Sequence, residues 1–231
     1  MPELTKYGKF SGTYSNGEIK EVIEYAKIRG IRVVVEIDTP AHTESWGRSD
    51  KYKDIVVKCN NAYEGQFDPT LNLTYDVVKQ VMAHTNAVFD DPYVHFGGDE
   101  VEESCWDRKP SIKQWMKANN ISTYRDLSID YHKKQKAIWR NISSTKKVIY
   151  WTNEQIDLPL QSDDVIQWWG LAKNLNRIVN RTNEVILSNY DQTYLDLGFG
   201  GRSGGTYGTY INWRDLYKFA PKYTGVNVIG G

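Results

Sequence analysis

The chain has 231 residues, with 29 basic and 29 acidic side chains and therefore no formal net charge. That balance excludes electrostatic capture of nucleic acid or of an anionic membrane as an organising theme. Hydrophobic residues make up 40% of the chain, enough for a globular core, and no apolar run approaches the roughly 20 residues of a membrane span.

In chain order, Ile19, Val22, Ile23 and Ala26 recur at helical spacing, and Gly30 supplies a stop. The β-branched run at residues 31–37 predicts a buried strand closed by Asp38-Thr39-Pro40. Val77, Val78, Val81, Met82 and Val88 mark a second helix, followed by a short strand at residues 93–96. Helical patterning over residues 122–141 precedes a strand at 147–151. Further strands are expected at 165–169, 184–188 and 226–229, with a helix at 171–181 between the first two. Strands alternating with helices argue for parallel βα units in an α/β chain.

The whole chain, residues 1–231, reads as one domain with six strands. A closed eight-stranded barrel takes about 250 residues. The pattern therefore predicts either an open doubly wound sheet or an incomplete barrel. Polar and aromatic residues collect just after strands: Asp38 and His42, Asp99 and Glu100, Trp151 and Glu154, Trp168 and Trp169, and residues 190–196. A barrel assembles its site at that rim from several strand ends, whereas an open sheet concentrates it at one switch point. The distribution favours the barrel.

The densest signal is His95-Phe96-Gly97-Gly98-Asp99-Glu100-Val101-Glu102. Side chains alternate between faces along a strand, but two glycines free the backbone just before the adjacent acids and let both look into one cavity. An isolated Asp-Glu pair is ordinarily a solvated helix start. Paired acids are also the working parts of most glycoside hydrolases. The 8 Trp and 16 Tyr suit that chemistry, since flat rings stack on the apolar faces of sugars, although most rings belong to the core.

Two cysteines, Cys59 and Cys105, are compatible with buried thiols or with one disulfide. Asn72, Asn120, Asn141 and Asn180 begin glycosylation sequons, mild support for a secretory route, while Met1-Pro2-Glu3-Leu4 resembles no signal peptide. The segment Gly200-Gly201-Arg202-Ser203-Gly204-Gly205 lacks the lysine of a phosphate loop and reads as a flexible surface loop. No metal-ligand spacing or cofactor motif is present, so neither a metal nor a cofactor is expected.

Three blocks carry a family resemblance: residues 30–47, reading Gly30-Ile31-Arg32-Val33-Val34-Val35-Glu36-Ile37-Asp38-Thr39-Pro40-Ala41-His42 and continuing to Gly47; His95 to Val101 with Cys105-Trp106; and Val185-Ile186-Leu187-Ser188 with Tyr194-Leu195-Asp196. In this order they resemble the catalytic domain of family 20 glycoside hydrolases, the β-N-acetylhexosaminidases, and especially the eukaryotic lysosomal type. The resemblance implies a (β/α)8 TIM-type barrel and hydrolysis of terminal N-acetylglucosamine or N-acetylgalactosamine. It implies Glu100 as general acid/base and Asp99 as the residue orienting the substrate's own 2-acetamido nucleophile. On that scheme Asp99 stays ionised, and Glu100 holds a proton aided by the neighbouring charge and partial desolvation. His42 matches a supporting relay histidine. The plainer reading of Asp38 is a cap on the following turn. Ala41 stands where many relatives have Gly, which predicts a slightly different loop.

Trp151 and Trp169 match tryptophans walling the sugar pocket, with Trp168 competing for the second place. Tyr194 matches a donor to the acetamido oxygen and Asp196 an acid binding sugar hydroxyls. Glu154 is left between a site residue and a solvated loop charge. Cys59 and Cys105 coincide with a rim disulfide, which implies a lysosomal or secreted protein.

The resemblance begins part-way into the family's barrel, so an incomplete barrel of about strands 3 to 8 is expected, the first two strands lying outside this sequence. Those strands would carry an arginine gripping sugar hydroxyls and the aspartate that completes the histidine relay. Unpaired strand edges would leave such a fragment with little activity of its own. The alternatives are an inactive carbohydrate-binding remnant and a partner subunit of a complete homologue. Glycans containing N-acetylhexosamine are the implied partners, and the sequence leaves monomer and homodimer both open.

Overall fold

The computed structural model describes residues 2–6, 12–59, 65–155, 158–178, 183–196, 210–220 and 224–231. The chain divides into two compact units, one formed by residues 1–147 and 157–159, the other by 148–156 and 160–231.

The first unit opens with α1 (Pro2–Thr5) and α2 (Asn16–Lys27). Helix α2 starts at a capping box: the Ser15 hydroxyl accepts from the Glu18 N–H at 3.2 Å, and the Glu18 carboxylate accepts from the Ser15 N–H at 2.7 Å. Ile23 and Ala26 turn inward. Residues 31–37 follow as extended chain, but only Glu36 forms a ladder bridge, parallel to His95. The His95 N–H donates to Val35 O and the Ile37 N–H to His95 O, both at 2.9 Å. The expected buried strand is thus confined to the end nearest Asp38. Ile31 and Val34 remain 58% and 38% exposed, so the apolar run did not report burial.

Two 3-10 turns, Glu44–Arg48 and Lys53–Ile55, lead into β1 (Val56–Val57), which pairs antiparallel with β2 (Gln66–Phe67). Two-residue strands carry no readable period, and neither was expected. Then come α3 (Asn72–Val88), β3 (Tyr93–His95), α4 (Glu103–Asp107), α5 (Pro110–Ala118) and α6 (Tyr124–Ile142). Helix α6 has its own capping box from Thr123 and Asp126. The core beneath joins Val57, Cys105, Trp106, Ile112, Met116 and Leu127. The Trp106 indole donates to Phe67 O at 2.8 Å, which satisfies its buried N–H. The ring of Phe96, next to the glycine pair, packs edge-on against Trp139 of α6 at 5.5 Å. Cys59 and Cys105 form a disulfide with Cα atoms 5.0 Å apart, tying the loop after β1 to α4.

The second unit is built on β4 (Lys147–Thr152), β5 (Val165–Trp168), β6 (Glu184–Leu187) and β7 (Asn227–Gly230). They pair in parallel and in sequence order, with Ile149 opposite Val165 and Val165 opposite Glu184. A doubly wound sheet reverses its order at a switch point, whereas a barrel adds each new strand beside the last. The described strands β4 to β7 follow one another in order, with no reversal among them. Where a helix was expected at 171–181, the described part is a 3-10 helix, Ala172–Ile178. Helix α7 (Trp213–Lys218) precedes β7. Ile166, Trp168, Leu175, Ile178, Val185 and Leu187 make the core. The glycine-rich segment 200–205 and Asn180 lie outside the described residues.

Candidate active site

The adjacent acids sit in a turn that only glycine permits. Gly97 has φ +63, and a Cβ there would lie 1.8 Å from Asp38 Oδ1. No side chain fits. Gly98 follows at φ +92, and its N–H donates to Asp38 Oδ1 at 3.2 Å. Glu100 itself is left-handed at φ 54, as is His42 at φ 57. For residues with a Cβ that conformation costs roughly 1–2 kcal/mol each and persists only where surrounding contacts over-determine it. Ala41 is buried and is not among the residues with positive φ, so the loop takes its left-handed step one residue later, at His42.

Those two strained residues meet. His42 Nε2 lies 3.0 Å from Glu100 Oε2, and His42 Nδ1 lies 2.5 Å from Asp38 Oδ2. The carboxylate that meets His42 Nδ1 in this structure is Asp38, only four residues before the histidine. The turn-cap reading of Asp38 is corrected, since its two oxygens engage His42 and the Gly98 N–H. Sequence proximity hid the role, because the turn through Pro40 folds Asp38 back against His42.

Hydrogen bonds to Asp38 and to Glu100, outweighing partial burial, raise the His42 pKa to about 10. His42 is an imidazolium at neutral pH and donates from both nitrogens. Its Nε2 proton lies on the line to Glu100. Asp99 differs from expectation. Burial foremost, with the charge of Asp38 second, lifts its pKa to about 7 against the attraction of His42. It therefore holds its proton to higher pH than an ordinary aspartate, because burial penalises the charged form. Its Oδ1 is buried and accepts no hydrogen bond from the described residues.

Asp38, His42 and Asp99 each bring a ligand atom within 4.8 Å of the others. A cation would need a lone pair on His42, and both ring nitrogens are spent on carboxylates.

A family model described as the glycosyl hydrolase family 20 catalytic domain matches residues 1–228. The chain belongs to glycosyl hydrolase family 20. Among similar family members, the β-hexosaminidase subunit beta of Mus musculus is 36% identical over 234 residues, 96% of this chain and 41% of that protein. A β-hexosaminidase of Emericella nidulans is 34% identical over 87% of this chain and 36% of its own length. This chain thus spans about two fifths of the curated relatives it matches. In solved structures, the fold resembles a family 20 exo-β-N-acetylglucosaminidase mutant from Vibrio harveyi with TM-score 0.79 at 21% identity, covering 95% of this chain and 37% of that one. A β-N-acetylhexosaminidase from Bacteroides fragilis gives TM-score 0.76 at 25% identity, covering 99% and 50%.

The other residues singled out by the family 20 resemblance lie in the second unit. Trp168 is fully buried in its core and is spoken for, whereas Trp151 and Trp169 are each half-buried. Tyr194 is half-buried, its ring 6.5 Å from Tyr190, and Asp196 is exposed. Glu154 is half-buried and hydrogen-bonded. Its Oε1 accepts from the Leu171 N–H at 2.8 Å and from the Asn174 amide at 2.9 Å, and its carbonyl accepts from Arg177 at 2.8 Å. Burial works to raise its pKa, but the hydrogen bonds from Asn174, its own backbone and Leu171 outweigh that and lower it. It is a staple between the loop after β4 and the 3-10 helix.

Sequence reasoning missed Gln66. Its buried amide donates to Glu102 O and accepts from the Glu102 N–H, both at 3.0 Å. Its sequence neighbours, Glu64, Gly65, Phe67 and Asp68, carry no pattern that sets it apart.

Proposed function

We propose that this chain carries the acid/base machinery of a retaining β-N-acetylhexosaminidase that removes terminal non-reducing N-acetylglucosamine or N-acetylgalactosamine from glycans. The observation that carries the reading is one imidazolium shared by Asp38 and Glu100, beside an Asp99 oxygen with no hydrogen-bond partner among the described residues. Glu100 protonates the departing glycosidic oxygen while the substrate's acetamido oxygen attacks the anomeric carbon. No enzyme carboxylate is needed as nucleophile. Asp99 Oδ1 accepts the acetamido N–H, and that bond favours its ionised form as positive charge grows on the forming ring. Glu100 then takes a proton from water, which attacks the face the leaving group left, so configuration is kept. His42 carries a proton toward Glu100, and Asp38 holds the ring in register.

Sugar contacts fall to Trp151 and Trp169 by stacking and to Tyr194 and Asp196 by hydrogen bonding. The parallel βα units are read as successive units of a TIM-type barrel. A lysosomal or secreted location is supported by the Cys59–Cys105 disulfide and by exposed sequon asparagines Asn72, Asn120 and Asn141.

The test is the residual hydrolysis of an aryl N-acetyl-β-glucosaminide by the wild type and by Glu100→Gln, read as a ratio so that a low absolute rate of this chain does not decide it. Loss of general acid catalysis is worth about 10²–10⁴-fold, and a variant within threefold of wild type would end the assignment.

A further inference from the structure

Building on that reading, we propose that two buried glutamines, Gln66 and Gln135, are positioning residues of the relay, each fixing one end of it. Both are almost inaccessible, at 1% and 0% exposure. At the acid end, Gln66 makes its paired bonds to the backbone of Glu102, two residues past Glu100. Together with the glycine turn before it, this pins Glu100 from both sides. A left-handed glutamate would otherwise relax to ordinary backbone and carry its carboxylate away from His42.

At the aspartate end, Gln135 of α6 reaches across 96 residues of sequence to donate from Nε2 to Thr39 Oγ1 at 2.7 Å. Thr39 is fully buried and adjoins Asp38. The Gln135 amide is oriented in turn by His132, whose Nδ1 lies 3.3 Å from Gln135 Oε1. Burial lowers the His132 pKa to about 4, so this imidazole stays neutral and donates to the amide oxygen. His132 also lies against the glycine turn, its Cε1 only 3.3 Å from where a Gly98 Cβ would stand. One rigid helix thus braces both the Asp38 strand end and the turn that presents the acids.

Glutamine is the residue this job requires. It offers a donor and an acceptor on one planar head and brings no charge into a site already holding three carboxylates and an imidazolium. Neither glutamine reaches toward a substrate, and each acts through the backbone or hydroxyl it holds.

The experiment uses the full 231-residue chain, with Gln66→Met and Gln135→Met keeping volume while removing the amide. Three readings are taken: melting, kcat and KM on the aryl N-acetylglucosaminide, and the titration of the His42 Cε1–H resonance. A slackened relay predicts kcat down about 10–100-fold with KM within about twofold, and a His42 midpoint lowered by about one pH unit or more. Where a methionine variant fails to fold, Thr39→Val stands in for it. It should reproduce the Gln135→Met effects, and Thr39→Ser should rescue them. Folded variants with wild-type His42 titration and wild-type kcat would overturn the proposal. The His42 titration reads relay geometry without any turnover, so its failure is distinct from failure of the hydrolase reading.

Discussion

Replacing Asp99 by Asn should make the protein more stable at alkaline pH while disabling it. The carboxyl is pushed from its ordinary 3.8 up to about 7 by burial and by Asp38. A group whose folded pKa is raised favours the fold while it is protonated. Ionising it costs stability progressively as pH climbs from about 4 through about 7. For one group with those two values, linkage gives a penalty of about 1 kcal/mol at pH 4.5 and about 4 kcal/mol at pH 8. Asn has the same shape and never ionises. Its stability advantage over wild type should therefore widen by about 3 kcal/mol between those pH values, less whatever solvent reaching the half-buried site relieves. Urea unfolding midpoints at pH 4.5 and 8, converted with a common slope, measure this directly. A gap that stays constant with pH, or a variant less stable at pH 8, would refute the claim that Asp99 is held in an uncomfortable charged state.

Binding of N-acetylglucosamine should release a fraction of a proton near pH 7 as its amide N–H engages Asp99, read as a buffer-dependent binding enthalpy. No release would mean the amide goes elsewhere. His42 contributes to stability fully below pH 6.5, and that contribution is lost as pH rises through about 10. His42→Gln should therefore be less stable at pH 6 and converge with wild type toward pH 11 in the same unfolding assay. Reducing Cys59–Cys105, which closes a loop over a separation of 46 residues, should cost about 2–4 kcal/mol by chain entropy. A melting temperature indifferent to reductant would contradict a structural bridge.

Long periodic elements were legible because their physics is local. Ser15 with Glu18 and Thr123 with Asp126 announce helix starts, and the β-branched runs at β4 to β6 behave as strands. Residues 31–37 were over-read, since a β-branched run signals extended backbone but not who covers it. Ile31 and Val34 lie exposed at the end where ladder bonds are absent among the described residues. The strands β1 and β2 were invisible because two residues cannot show a period. At the site, Asp99 and Glu100 stood out through Gly97 and Gly98, whose freedom has a stated use, whereas His42 was singled out only by the family resemblance. Asp38 was not legible. Its role depends on a chain reversal between residues 38 and 42 that spacing alone does not encode. Gln66 and Gln135 were hidden for a related reason, as their partners lie 36 and 96 residues away.

The account turns on a substrate amide that does the nucleophile's work while Asp99 steers it. The direct measurement compares hydrolysis of two aryl β-glycosides identical except at C2, one bearing acetamido and the other hydroxyl, by wild type and by Asp99→Asn. The account predicts that wild type cleaves the acetamido sugar at least about 10³-fold faster and that Asp99→Asn loses most of that preference. Comparable rates on both sugars, or a preference that survives Asp99→Asn intact, would contradict it.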